Sequence, residues 1–262
     1  MRPNRIRDTW ADGGPALGAW LMIPSAFSAE IIAHADFDWV CVDMQHGLID
    51  YAQMVGMLQA VSSTNVAPLV RVPWNEPGII GKALDAGARG IVVPMVNSRD
   101  DAERAVRACR YAPAGARSYG PLRANYYAGF DYFAHADQDV LCIVMIETRE
   151  AVASVDDILS VPGIDAVYVG PADLSVSLGL PPAPDQDAPS FTDAIARILA
   201  ACHAHGVVPG IAGNQKTAPK RIEQGFRLVE VVADAGALAG GVAAALREVA
   251  PEGGATEKSA YL

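Results

Sequence analysis

The feature that most constrains this chain is a rhythm. Short apolar, strand-like runs alternate eight times with helix-like stretches. The runs are Leu17–Ile23, Trp39–Asp43, Ala67–Val72, Gly90–Pro94, Leu141–Glu147, Ala166–Gly170, Val207–Ile211 and Leu228–Val232. Helical patterns follow over Ser28–His34, Tyr51–Val61, Pro77–Asp85 and Ser98–Arg110, then from the fifth run to Leu159. A short helical turn near Asp173 and a Pro-rich stretch precede a helix over Phe191–Ala204, and two more span Gln215–Gln224 and Ala235–Glu248. Glycine marks several helix-to-strand joints (Gly87, Gly163, Gly206, Gly225), where a left-handed residue commonly ends a helix. Alternation of this kind implies parallel strands. Eight such units in about 250 residues imply a closed (β/α)₈ TIM barrel, an α/β fold in one domain spanning 1–262, with a doubly wound open sheet as the alternative. The segment 111–129 is expected to be a long loop, and 251–262 a mobile or subunit-contacting tail.

Composition supports a large buried sheet. Half the residues (51%) are hydrophobic and only 7% are aromatic, as in parallel sheets covered by helices. The formal net charge of −10 argues against nucleic acid or an anionic membrane as partner. An anionic substrate would need a local positive site. None of Cys41, Cys109, Cys142 and Cys202 forms a C-x-x-C pair, so they are expected to be reduced core residues of a cytoplasmic protein. The polar first ten residues do not suit a signal peptide, and no apolar run reaches membrane-span length.

A barrel carries its active site at the C-terminal ends of its strands. Polar residues interrupt the apolar runs at those ends: Asp43 with Gln45 and His46 just beyond, Arg71, Glu147, and the turn Gly170, Pro171, Ala172, Asp173. Glu147 and Asp173 are candidate ligands for a hard divalent cation, or else carboxylates capping loops and helices. A 2-oxo acid could complete the shell, and the metal would stabilise an enolate oxygen as a Lewis acid. His46 and Asp43 are a candidate base and its orienter, or else Asp43 caps the loop and His46 is merely exposed. Arg71 needs a charge partner, either a substrate carboxylate or enolate oxygen, or a salt bridge to Asp43 or Glu147. Backbone N–H groups at Ala172 and Asp173 could bind a carboxylate, or else the segment is an ordinary tight turn with an Asp N-cap. None of the four lysines (Lys82, Lys216, Lys220, Lys258) lies in a predicted strand, which favours metal-assisted enolisation over imine chemistry. His203 and His205 near a helix end suit the helix dipole better than a metal site.

The segments Val42–His46, Leu69–Pro73, Val93–Asn97, Met145–Glu150 and Val169–Leu174 resemble, in the same order, the HpcH/HpaI aldolase family. The likeness runs from about Gly18 to about Leu246, and Ile-Glu-Thr-Arg-Glu with Gly-Pro-Ala-Asp-Leu are its specific motifs. The resemblance implies a class II pyruvate aldolase that joins or cleaves pyruvate, or a close 2-oxo acid such as hydroxypyruvate, and an aldehyde. It implies Glu147 and Asp173 as ligands of Mg²⁺, Mn²⁺ or Co²⁺, His46 supported by Asp43 as acid/base, and Arg71 on the pyruvate oxygens. Gly170, Ala172 and Asp173 would hold the carboxylate, and Trp20 and Gln45 join the substrate-binding set. Asp85 matches a position associated with the neighbouring subunit's side of the site. Members of the family are usually homohexamers, trimers of dimers with the last helix exchanged. Gln45 departs from the Glu of the best-known members, and the loop Arg117–Arg123 departs from the dicarboxylate-cleaving ones. Oxaloacetate decarboxylation is the expected side activity. The alternatives are an acyl-CoA lyase of the citrate-lyase-like type and a non-catalytic 2-oxo acid-binding barrel.

Overall fold

The computed structural model describes residues 2–249, so the tail 251–262 and its expected role lie outside the described residues. The strands are β1 (Ala16–Leu21), β2 (Trp39–Asp43), β3 (Ala67–Arg71), β4 (Gly90–Val93), β5 (Leu141–Met145), β6 (Ala166–Val169), β7 (Val208–Ile211) and β8 (Leu228–Ala233). Each pairs in parallel with the next, and β8 pairs with β1 to close the barrel, with an irregularity between Gly18 and Ala19. The expected (β/α)₈ architecture is therefore observed. The helices are α1 (Arg5–Ala11), α2 (Ala26–Ala33), α3 (Tyr51–Val61), α4 (Pro77–Asp85), α5 (Arg99–Cys109), α6 (Leu122–Ala128) and α7 (Tyr132–Asp139). They continue as α8 (Arg149–Ala153), α9 (Val155–Leu159), α10 (Pro171–Ser177), α11 (Pro189–His205), α12 (Ala218–Glu223) and α13 (Asp234–Val249). No described helix is long and apolar enough to cross a membrane.

Local chemistry explains the boundaries. Asp50 caps α3 by accepting from the Gln53 N–H, while the Gln53 side chain accepts from the Asp50 N–H. Ser98 and Thr148 cap α5 and α8 from one side only, each accepting a backbone N–H, and Pro at the first position starts α4, α10 and α11. Gly206, at φ 67°, ends α11 in the left-handed conformation that its missing Cβ permits.

Three elements differ from the sequence expectation. The polar N-terminus forms α1, whose Ile6 is fully buried against the interior of the barrel. Its Arg5 and Arg7 pair with Asp38 and Asp165, and the segment has too few apolar residues to show a period. The long loop contains α6, and α7 follows it. Both are short, without side-chain caps, and bury mainly Ala124, Ala128, Tyr132 and Ala136. The helix after β5 breaks at Ser154 into α8 and α9.

Two apolar layers result. The outer one lies between the strands and the helices. The inner one fills the barrel with Trp20, Trp39, Cys41, Leu69, Val92, Ile143, Met145, Tyr168 and Leu228. Trp20 stacks on Tyr168 at 5.2 Å between ring centroids, and Trp39 meets both edge-on at 6.2 and 6.3 Å. The Trp39 indole N–H donates to the Ala16 carbonyl at 3.1 Å. Trp39 fits because Gly18 on the neighbouring strand has no side chain. A Cβ there would fall 2.0 Å from the indole ring. Gly18→Ala is expected to cost about 1–3 kcal/mol by overpacking, read as a lower denaturant midpoint with an unchanged slope. A wild-type midpoint would show that the Trp39 ring moves freely.

Candidate active site

Register places the central pair. Asp43 ends β2 and Arg71 ends β3, and the two residues are partners across the parallel ladder. Both side chains therefore reach the mouth at one height. Arg71 Nε donates to Asp43 Oδ1 at 2.8 Å and Nη2 to Oδ2 at 2.5 Å, a two-pronged, buried ion pair. The guanidinium lies over the Trp20 ring, 5.0 Å from its centroid. Burial works to raise the Asp43 pKa, but the bonds and charge of Arg71 outweigh it and hold the carboxyl below the usual range. Asp43 Oδ1 also accepts from the backbone N–H groups of Gln45 and His46, at 3.0 and 3.2 Å.

The sequence offers Asp43 either as the orienter of the His46 imidazole or as a cap on the loop, and here its carboxylate is bonded to Arg71 and to the N–H groups of that loop. It reaches His46 only through the backbone N–H, and so shapes the turn that carries His46 rather than the ring. His46 itself lines the cavity at the mouth.

Glu147 follows β5 and is buried. Its Oε1 accepts from the Met95 N–H at 2.8 Å. Met95 has φ 55°, a region that costs a non-glycine residue about 1 kcal/mol or more. The turn after β4 thus presents its N–H to the carboxylate at the expense of strain, a contribution that sequence reading did not assign to Met95. Burial pushes the Glu147 carboxyl up to about 7, against the Met95 hydrogen bond, with the nearby Asp173 charge adding to the rise and Arg71 opposing it.

Asp173 lies in the first turn of α10. Gly170 is the N-cap residue and supplies no side-chain cap. Asp173 is therefore not spent on capping, and among the described residues its carboxylate receives no hydrogen bond. The N–H groups of Ala172 and Asp173 belong to the set that a helix start leaves unbonded. Gly170 also makes room. A Cβ there would lie 2.7 Å from Glu147 Oε2.

Arg71, Trp20, His46, Gly170, Ala172 and Asp173 line one cavity of about 400 Å³. Glu147 couples electrostatically to two of them, Arg71 and Asp173. Gln45 follows Asp43 in the turn, its N–H bonded to that carboxylate and its Oε1 buried and, among the described residues, unpaired. Asp85 is elsewhere. It forms an ion pair with Arg117 at 2.7 Å beside a separate cavity of about 540 Å³, so one chain alone does not bring it to the site.

Sequence reading missed Glu230, Tyr168 and Asn214, which line the same cavity. Glu230 carried a usable signal, because it interrupts an apolar strand just as Arg71 does. Tyr168 and Asn214 gave none, since tyrosine suits a strand and asparagine suits a loop.

Whether the residues suit a metal rests on the two acidic side chains. Among the described residues no group of three or more His, Cys, Asp or Glu is arranged around a metal position. A hard divalent ion held by one or two carboxylates, with substrate and water on its other positions, needs no such group. Glu147 and Asp173 provide two oxygen donors, and Gly170 clears the space beside one of them. The donor set fits.

Residues 16–239 match the HpcH/HpaI aldolase/citrate lyase family. The chain belongs to that family. It is 43% identical over 232 residues to a hydroxypyruvate/pyruvate aldolase of Rhizorhabdus wittichii, covering 88% of this chain and 92% of the relative. It is 38% identical over 245 residues to a 4-hydroxy-2-oxo-heptane-1,7-dioate aldolase of Salmonella dublin, covering 92% of each. A crystal structure of an HpcH/HpaI aldolase/citrate lyase family protein from Burkholderia cenocepacia superposes with a TM-score of 0.87 at 37% identity, over 94% of this chain and 99% of that one. The chain is accordingly a carbon–carbon lyase.

Removing either partner of the buried pair, by Asp43→Ala or Arg71→Ala, is expected to cost about 3–5 kcal/mol of stability. A double-mutant cycle should give a coupling of about 2–3 kcal/mol for Asp43 with Arg71, and within about 0.5 kcal/mol of zero for Asp43 with His46. The reverse order would restore Asp43 as the orienter of the imidazole. For Glu147, the folded protein holds the proton more tightly than the unfolded chain does. That contribution to stability is complete at low pH and is lost as pH rises through about 7. Melting in metal-free buffer at about pH 5 and pH 8 should therefore show Glu147→Gln gaining on the wild type at the higher pH. A pH-independent difference would mean that the carboxyl titrates in its ordinary range.

Proposed function

We propose that this chain is a divalent-metal-dependent aldolase acting on pyruvate, or a close 2-oxo acid such as hydroxypyruvate, and an aldehyde. The observation that carries the reading is an arginine fixed by a buried carboxylate and an indole face, at the same mouth as two acidic side chains that form no ion pair among the described residues. Simple barrel stability would not leave Glu147 in that state, because an unpaired buried carboxyl is costly. The relatives named for pyruvate, hydroxypyruvate and a 4-hydroxy-2-oxo acid support the same donor.

A divalent cation held by Glu147 and Asp173 would supply a Lewis acid to the carboxylate and keto oxygens of the donor. Arg71 presents N–H groups to those oxygens and stabilises the charge that develops on the C2 oxygen. The N–H groups of Ala172 and Asp173 hold the carboxylate end. His46, at the rim, moves the protons. In cleavage it takes the proton of the C4 hydroxyl, the C3–C4 bond breaks, and the aldehyde leaves. The bonding pair passes into the C2–C3 enolate facing Arg71, and a proton delivered to C3 completes the 2-oxo acid. Condensation runs the same steps in reverse. Decarboxylation of oxaloacetate generates the same enolate and is the expected side reaction. The exposed apolar residues Leu238, Val242 and Leu246 recur along one face of α13 and support assembly with further copies through that helix.

Exchange of the pyruvate methyl protons in D₂O, followed by NMR, tests the reading without knowledge of the aldehyde. Exchange should require Mg²⁺ or Mn²⁺, stop with EDTA, and fall by at least about 10²-fold in His46→Ala. No exchange in the wild type with metal present would remove pyruvate as donor, and full exchange in His46→Ala would remove His46 as the base.

A further inference from the structure

Glu230 has no part in the steps above, yet it stands in the floor of the same cavity. It lies in the middle of β8 with its side chain inside the barrel, and only 8% of the residue is exposed. Its Oε2 accepts from the Tyr168 hydroxyl at 3.2 Å. Trp20, stacked on Tyr168, and Met145 complete the surrounding wall. Among the described residues it forms no ion pair, although Arg71 is near enough to be felt. Burial pushes its carboxyl up to about 7, against hydrogen bonds from Tyr168 and the Gly213 backbone and the charge of Arg71.

A carboxyl placed this way destabilises the fold unless something in the cavity uses it. The chemistry of that partner is restricted. A substrate carboxylate is excluded by like charge, and already has Arg71 and the start of α10. An alkyl group would leave Glu230 unpaired. A hydroxyl fits, because it can donate to a carboxylate oxygen and accept from a carboxylic acid. Asn214, on the same wall, offers a further donor and acceptor to a polyhydroxylated chain.

We infer that Glu230, positioned by Tyr168, is a specificity-determining residue that recognises a hydroxyl group of the substrate next to the reacting carbons. The inference rests on the aldolase reading above and names its substrate class. The hydroxyl belongs either to the donor, as C3–OH of a hydroxylated 2-oxo acid, or to a hydroxyaldehyde acceptor.

Two matched pairs distinguish these sources, each differing by one hydroxyl. Hydroxypyruvate and pyruvate are compared with one fixed aldehyde, and glycolaldehyde and acetaldehyde with one fixed donor, using kcat/KM of the metal-loaded enzyme. The wild type should favour the hydroxylated member of at least one pair by about tenfold or more. Glu230→Ala should reduce that preference to less than about threefold, while Glu230→Gln, which keeps a donor and an acceptor, retains most of it. The pair whose preference collapses identifies the source of the hydroxyl. Tyr168→Phe, which frees the Glu230 carboxyl without removing it, should weaken the same preference and serves if Glu230→Ala does not fold. Absence of any preference in the wild type overturns the inference. So does a preference that survives in Glu230→Ala, or an equal fall for both members of each pair. Pyruvate methyl exchange by the wild type is scored separately. Its absence would count against the aldolase reading itself, whereas exchange with an unchanged preference would count against Glu230 alone.

Discussion

The site depends on one ion pair. Asp43 and Arg71 are bonded twice across the ends of neighbouring strands, and their register in the parallel sheet makes that geometry available. The pair does three things together. It neutralises a guanidinium that would otherwise be buried alone, it fixes that guanidinium over the face of Trp20, and it directs the remaining N–H groups into the cavity. The carboxylate also collects the N–H groups of Gln45 and His46, so the turn carrying the candidate base is set by the same residue. A buried pair of this kind is poor evidence for stability, since desolvation offsets much of its attraction. Its value lies in orientation, which catalysis requires to within a fraction of an ångström.

Opposite that satisfied pair stand acidic groups that the fold leaves unsatisfied. Glu147 has one backbone donor, obtained by holding Met95 in a strained conformation, and Gly170 keeps the space beside its second oxygen clear. Glu230 has a tyrosine hydroxyl and a backbone donor and, among the described residues, no ion pair. Both carboxyls are pushed up to about 7 chiefly by burial. Such costs persist only where the surrounding structure over-determines them. Here the surroundings are the rigid barrel, with its inner aromatic layer of Trp20, Trp39 and Tyr168 below and the outer helices around it.

Most of this fold is legible in the sequence, because each strand declares itself by apolar content and most of the helices by their period. The ends of β2, α3 and α4 lie where the pattern put them, since Asp43, Asp50 and Pro77 are unambiguous boundary residues. The helices α1, α6 and α7 were not legible. They are short, and they bury alanines and single aromatic or aliphatic residues rather than an apolar stripe. Most of the candidate site was found because charged residues ended apolar runs. Glu230 gave the same signal inside a strand and was passed over.

The sequence by itself determined the class of fold and the kinds of group at the barrel mouth: an arginine, several carboxylates, a histidine and a glycine-started helix. Periodicity and strand-end position are local properties, and a sequence records local properties directly. Which group meets which was decided only by the tertiary structure. The closed sheet sets the register that gives Asp43 to Arg71 rather than to the imidazole of His46. The inward face of β8 puts Glu230 beside Tyr168 from β6, and the packing of α4 on the segment after α5 sends Asp85 to Arg117 and away from the cavity. Each of these contacts joins residues distant in the chain, and only closure of the barrel and its packed helices fixes the distance between them.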